Sequence, residues 1–147
     1  MNSWRDDATP ETRDRLDGLL DTALRAGREQ LDRAGEFFPF AVTVDAAGET
    51  DLVQPELPAS RDVGEAHERC WQALAERAGD LVAAAVVTNV GGAGEDAIAV
   101  ALEDREGVAI EVFLPYVTQR KVNGKKPAQK HRFGDLLAAE GTRRVWA

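Results

Sequence analysis

His67 and Cys70 are the two side chains whose types and spacing come closest to a catalytic pair. Three residues apart on a helix, they share one face, where an imidazolium could stabilise a nucleophilic thiolate. Trp71 and Leu74 continue the same apolar stripe, and free cysteine is among the most buried residue types. We therefore interpret Cys70 as a core residue beside a flanking histidine, with a reactive pair as the alternative.

Other patterns for catalysis, metals and cofactors are weak. The two histidines have no recognised metal-ligand spacing, and no HExxH motif is present. The stretch GGAGEDA, with Gly92 and Gly94, loosely matches a dinucleotide fingerprint, but the alternating residues after it predict a strand where phosphate binding needs a helix. The sequence predicts no metal, no cofactor and no catalytic residue, and it leaves enzymatic activity uncertain, leaning against it.

The formal net charge of −8 over 147 residues is divided unevenly. Residues 1–116 hold ten Lys and Arg against 24 Asp and Glu, whereas residues 117–147 hold eight against two. Because the acidic part repels polyanions, nucleic-acid binding is disfavoured.

A basic segment at residues 120–132 contains all four lysines of the chain. We interpret residues 117–132 as a basic loop in solvent, since charge runs are usually solvated. The alternative is a site for a small anion or an acidic partner, with lysines acting as point charges on phosphate or carboxylate. Its candidate residues are Arg120, Lys121, Lys125, Lys126, Lys130 and Arg132.

A long amphipathic helix opens the predicted fold. Thr9 can cap it, Pro10 suits its first position, and Gly35 can end it. Between them, apolar residues recur at steps of three and four from Leu16 to Ala34. This pattern is typical of a surface helix with one buried side.

Two hairpins with glycine in the loop form the predicted sheet. Loops at residues 46–48 and 105–107 place Gly48 and Gly107 in the positive-φ position. The resulting registers put apolar side chains on one face. They pair Val44 with Thr50, Val42 with Leu52, Leu102 with Ile110, Val100 with Val112, and Ile98 with Leu114.

The opposite face of the second hairpin carries small residues and two acids, Glu103 and Glu111, as diagonal neighbours. Two carboxylates can do acid–base chemistry if burial separates their pKa values, but we predict solvent-facing charges. The small residues of this face suit the docking of another surface, including a second copy of the chain. They are Ala97, Ala99, Ala101 and Ala109.

The remaining elements complete a predicted order of α-β-β-α-β-β-β-α. A second helix runs from Asp62 to Gly79, a buried strand covers residues 81–90, a short helix covers about 134–140, and the terminal TRRVWA is a candidate edge strand. We predict one α+β domain over residues 1–147, with an antiparallel sheet of five or six strands, helices packed on one face, and a flexible start at 1–8. The order is like that of profilin-like and roadblock-like domains, an analogy without functional content.

The sequence also indicates a compartment. Alanine and arginine abundance favours a GC-rich bacterial source, and one cysteine favours a reducing environment. The start is acidic and polar, and the longest apolar run is LVAAAVV. We expect a cytoplasmic protein without a membrane segment.

Two stretches resemble a family of small uncharacterised proteins from high-GC Gram-positive bacteria. The resemblance lies in FFPFAVTVDAAGE and DAIAVALEDREGVAIEVFLPY, and the closing FGDLLAAEG is similar to the family's tail. The Lys-rich segment before that tail is less typical. The resemblance implies no known activity. The matching residues are Pro39, Phe40, Ala41, Gly48, Glu103, Gly107, Pro115 and Tyr116.

Taken together, these patterns favour a non-enzymatic protein-interaction module. Self-association as a homodimer through a sheet edge or through the alanine face is the leading hypothesis, because open antiparallel sheets need a partner or a cover. The alternative is an anion-binding or small-molecule protein or enzyme that uses the basic segment. A third hypothesis is a basic protein partner for the acidic body.

Overall fold

The computed structural model describes residues 8–56, 59, 62–91, 96–121 and 128–146, with the backbone alone at 119–121 and 128–130. The helices are α1 (Pro10–Ala34) and α2 (Val63–Glu76), followed by a 3₁₀ turn at Ala78–Asp80. The strands are β1 (Phe40–Asp45), β2 (Thr50–Val53), β3 (Leu81–Val90), β4 (Asp96–Asp104), β5 (Ala109–Lys121), β6 (Ala128–Phe133) and β7 (Leu137–Glu140).

All strand pairs of the sheet are antiparallel. The spatial order is β2-β1-β3-β4-β5-β6, and β7 pairs with the part of β5 that β6 leaves open. The predicted α+β class with an antiparallel sheet is therefore confirmed. Both predicted hairpin registers are also confirmed, with Gly48 at φ 84° and Gly107 at φ 105°.

Helix α1 has the predicted start and end. The Thr9 side chain accepts a hydrogen bond from the Thr12 amide, and Gly35 takes the left-handed conformation at φ 77°. Gly27 allows a close approach to the sheet, since a Cβ there would lie 3.3 Å from the Ile98 methyl groups. Arg15 also bonds the buried Asp104 carboxylate at 2.8 Å, which ties α1 to the second hairpin.

The main core lies between α1 and one face of the sheet. Its strand residues are those that the two hairpin ladders predicted, such as Val42, Val100 and Val112, all buried. Because side chains alternate along a strand, the residues between them point to the opposite face.

Helix α2 packs on that opposite face, at the β1–β3 end of the sheet. Its Cys70, Trp71 and Leu74 form a second buried cluster with Ala41, Ala84, Leu81 and Val86. The predicted packing of helices on the apolar face holds for α1. Helix α2 contacts strand residues that alternate with those of the main core. The predicted start of α2 at the Asp62 cap is confirmed. The predicted end at Gly79 is too late, because the helix ends at Glu76 and Gly79 lies in the 3₁₀ turn.

The tail differs from the prediction. The short helix expected at about 134–140 is wrong, because Leu137–Glu140 is strand β7 and pairs with Ile110–Phe113. So short a helix gains little stability by itself, and pairing with the open edge of β5 satisfies the backbone of residues 137–140 instead. The terminal residues 141–146 form no strand.

The basic loop predicted at 117–132 is also largely wrong. Strand β5 continues to Lys121 and β6 begins at Ala128, with Val117 opposite Arg132. Charged residues at a solvated end of a sheet hide the alternation that marks a strand, since neither face needs to be apolar. Residues 122–127, and the start at 1–7, lie outside the described residues.

Candidate interaction surface

The sheet face opposite α1 carries small and apolar residues that are partly or fully exposed. We name it the alanine-lined face. Cross-strand partners share a face, so the registers assign its members. They are Thr88, Val90, Ala97, Ala99, Ala101, Glu111, Phe113, Pro115, Val117, Arg132, Leu137 and Ala139.

Exposed apolar side chains concentrate on this face. Val90, Val117 and Leu137 are 42%, 62% and 59% exposed, and they are half of the exposed large hydrophobic residues in the described part of the chain. Phe113 and Pro115, between them, are partly exposed. Contiguous exposed apolar residues with a polar rim mark interaction sites.

The charges of this face lie at its two ends. Glu111 is exposed near one end of β5, and Arg132 is exposed opposite Val117 near the other end. The six residue-to-residue steps along the strand from Glu111 to Val117 span about 20 Å. A two-fold axis near Phe113 and Pro115 would therefore set Glu111 of one copy against Arg132 of the next.

Among the predicted basic-site residues, Arg132 is the one whose side chain the structure describes. Strand pairing brings the backbones of Arg120 and Lys121 opposite those of Gln129 and Ala128, and Lys130 pairs with Gln119. Lys125 and Lys126 lie outside the described residues. A concerted anion site therefore stays a prediction.

His67 lies where α2 borders the alanine-lined face. It lines a small cavity of about 50 Å³ together with Thr88, Ala99, Glu111 and other face residues. Its Nε2 accepts a hydrogen bond from the Trp71 indole N–H at 3.3 Å. Burial lowers the pKa of His67 more than the neighbouring Glu68 carboxylate raises it. The ring is therefore held neutral as an acceptor.

Cys70, which would be the partner of His67 in the alternative interpretation as a reactive pair, faces the core. Cys70 is buried, and burial raises the pKa of its thiol to about 11. A thiolate nucleophile would need the opposite shift. The structure thus supports the interpretation of Cys70 as a core residue, and it sets His67 beside Glu111, a juxtaposition that sequence spacing did not reveal.

Glu103 has a role that the sequence reasoning missed. The prediction of a solvent-facing Glu103 is wrong, because its side chain is 1% exposed. Its carboxylate accepts three hydrogen bonds of 2.8–2.9 Å from the consecutive backbone amides of Arg144, Val145 and Trp146. This arrangement resembles the way anions bind runs of free amides. Glu111, by contrast, is exposed as predicted.

Residues 144–146 form a strap held at both ends. The Arg144 guanidinium bonds Glu68 at 2.7 Å and lies 4.9 Å from the centre of the Trp71 ring. The Trp146 indole donates to the carbonyl oxygen of Ala78. The strap thereby covers Glu103 on β4 and lies beside α2, whereas Val90, Val117 and Leu137 of the same face remain exposed.

Neither a cluster of metal-ligand side chains nor a membrane-spanning helix is found among the described residues. No three His, Cys, Asp or Glu side chains in them converge on a possible metal position. Neither α1 nor α2 combines the length and hydrophobicity needed to cross a bilayer. The glycines of GGAGEDA at 92 and 94 lie outside the described residues.

Comparison with models of protein families, with curated proteins and with solved structures gives no match. The resemblance to uncharacterised bacterial proteins therefore stays a prediction from the sequence motifs.

Proposed function

We propose that this protein is a non-enzymatic interaction module that self-associates through the alanine-lined face. The observation that carries the proposal is the concentration of exposed apolar side chains, Val90, Val117 and Leu137, on a part of the sheet face that neither α1 nor α2 covers. Burying such side chains contributes about 25 cal/mol for each Å² of apolar area removed from water.

Small side chains at the centre of the face favour a sheet as the partner. Ala97, Ala99 and Ala101 stand on the central strand β4 and are partly exposed. Because alanine side chains are short, a second sheet can approach closely without the two surfaces clashing. A sheet face of small side chains suits another sheet better than it suits a small molecule.

Cavity size supports the same choice. The cavity beside His67 measures about 50 Å³, whereas pockets for drug-sized ligands measure roughly 300–1,000 Å³. The charges at the two ends of the face, Glu111 and Arg132, favour a second copy in an isologous arrangement.

Sedimentation velocity of the whole chain from dilute to concentrated solution tests the proposal. We expect a monomer–dimer equilibrium that Val117→Glu shifts at least about tenfold toward monomer, since each tenfold corresponds to about 1.4 kcal/mol. Val63→Glu is the matched control, because Val63 is also exposed but lies at the start of α2. A monomer at every concentration, or equal effects of the two variants, contradicts the proposal.

A further inference from the structure

Strand β2 forms one edge of the sheet and offers free backbone groups. Within the described residues it pairs with β1 alone. The Asp45 amide donates to the Glu49 carbonyl oxygen at 3.0 Å, which fixes the phase of the ladder. Because bonded and non-bonded pairs alternate in an antiparallel ladder, Thr50 and Leu52 direct their N–H and C=O groups away from β1. These are the groups that an added strand would bond.

A groove runs beside this edge, between β2 and the second half of α1. It has a volume of about 260 Å³ and is lined by Ala26, Glu29, Gln30, Arg33, Ala34 and Leu52. Leu52 is 50% exposed and shares the α1 side of the sheet with its partner Val42. An apolar side chain on the same side of an added strand would enter this groove.

The other side of the edge is acidic. Asp51 alternates with Leu52 and so projects to the opposite side of β2, and Glu49 precedes the strand, both exposed. Cationic side chains on that side of an added strand would face them. A second copy that added its own β2 about a two-fold axis at Asp51 would instead bring Asp51 against Asp51, and an axis at Thr50 would bring Asp51 against Glu49, both of which are unfavourable.

We infer that the β2 edge binds an extended segment of another protein in which apolar and cationic residues alternate. The main chain of the segment bonds Thr50 and Leu52, its apolar side chains enter the groove beside α1, and its cations face Asp51. This is strand addition to a sheet edge, in which backbone bonds supply affinity and alternate side chains supply specificity. The site is separate from the alanine-lined face and does not rest on self-association.

The test uses two blocked peptides, one alternating valine with lysine and one alternating valine with glutamate, titrated into the whole chain by calorimetry and amide NMR. We expect the lysine peptide alone to bind, with the Thr50 and Leu52 amides gaining protection from exchange. Asp51→Lys should weaken it at least about tenfold, whereas Asp80→Lys, the same charge change at an exposed position of the 3₁₀ turn, should not.

Three results would overturn the inference. Neither peptide binds, both peptides bind equally, or the two lysine variants weaken binding equally. A fourth result would overturn it in favour of a different occupant of the β2 edge. If the lysine peptide does not bind and Asp51→Lys abolishes association of the protein with itself, the edge binds a second copy of the chain. Melting temperatures of both variants at wild-type values show that the comparison concerns binding and not folding.

Discussion

At the scale of single residues, Glu103 is the side chain that holds residues 144–146 against the sheet. One buried carboxylate accepts the amides of Arg144, Val145 and Trp146. The position of Glu103 on its strand predicts which face its side chain points to, but not what it binds. Its partners are the amides of residues 144–146, some 40 residues later, and that segment has no periodic pattern that would predict its position. Cys70 shows the reverse case: its apolar neighbours in the sequence already indicated a core position, and it is buried.

Glu103→Ala tests how much these hydrogen bonds contribute to stability. Removing the acceptor leaves three backbone amides without a partner, so we expect the free energy of unfolding to fall by about 2–4 kcal/mol. Urea denaturation measures it, with the combined fluorescence of the three tryptophans following unfolding. Glu111→Ala, an exposed glutamate on the same face, is the control and should change stability by less than about 0.5 kcal/mol. Equal effects of the two variants would show that the strap contributes nothing to stability.

His67 gives the fold a dependence on pH. Because burial lowers its pKa in the folded chain from the ordinary 6.5, the folded state disfavours protonation relative to the unfolded state. Stability is therefore complete above about pH 6.5 and falls as the pH drops through the lowered pKa of the folded state. His67→Gln removes this titration while retaining an acceptor for the Trp71 indole.

Urea midpoints of the wild type and His67→Gln, measured at about pH 7.5 and pH 5, check the expectation. The two proteins have the same carboxylates, so the titration of those far from His67 cancels in the comparison. Glu68 is the neighbour whose pKa the charge of His67 itself lowers. We expect the wild type to lose more stability than the variant on acidification. Parallel losses would mean that His67 titrates alike in the folded and unfolded chains.

At the scale of elements, the sequence predicts what local pattern specifies. Thr9, Pro10 and Gly35 mark the ends of α1 correctly, and the glycines of the two hairpins set both registers. The tail could not be predicted in this way. Leu137–Glu140 has the composition of a helix, yet the free edge of β5 determines its conformation, and that edge exists only after the sheet has formed.

Glycine substitutions test the element boundaries. A Cβ at Gly141 would lie 2.8 Å from the Ile110 backbone nitrogen, whereas a Cβ at Gly18 on the exposed side of α1 would meet nothing within 4 Å. We expect Gly141→Ala to destabilise by about 1–3 kcal/mol through displacement of β7. Gly18→Ala should stabilise by about 0.5–1 kcal/mol, because alanine favours the helix interior.

Thermal unfolding by circular dichroism distinguishes the two variants, which change the same residue type in the same way. Gly18→Ala is the control for the chemical change itself. If Gly141→Ala melts at or above the wild-type temperature, the packing of β7 against β5 is looser than the structure shows.

At the scale of the whole molecule, the two helices leave one end of the sheet face uncovered. The sequence indicated the small residues of that face, Ala97, Ala99 and Ala101, but their position between α2, the strap and β7 depends on the complete topology. Glu111 belongs to the acidic part of the chain, residues 1–116, and Arg132 belongs to the basic part, residues 117–147. The fold places these two side chains at opposite ends of one apolar surface.

A charge exchange between Glu111 and Arg132 tests self-association through this face most directly. Multi-angle light scattering over a concentration series compares the wild type, Glu111→Arg, Arg132→Glu and the double variant. We expect each single variant to weaken the dimer about tenfold and the double variant to recover most of the wild-type affinity, because an isologous interface restores both pairs at once. A wild type that stays monomeric, or a double variant no tighter than the singles, would contradict association through the alanine-lined face.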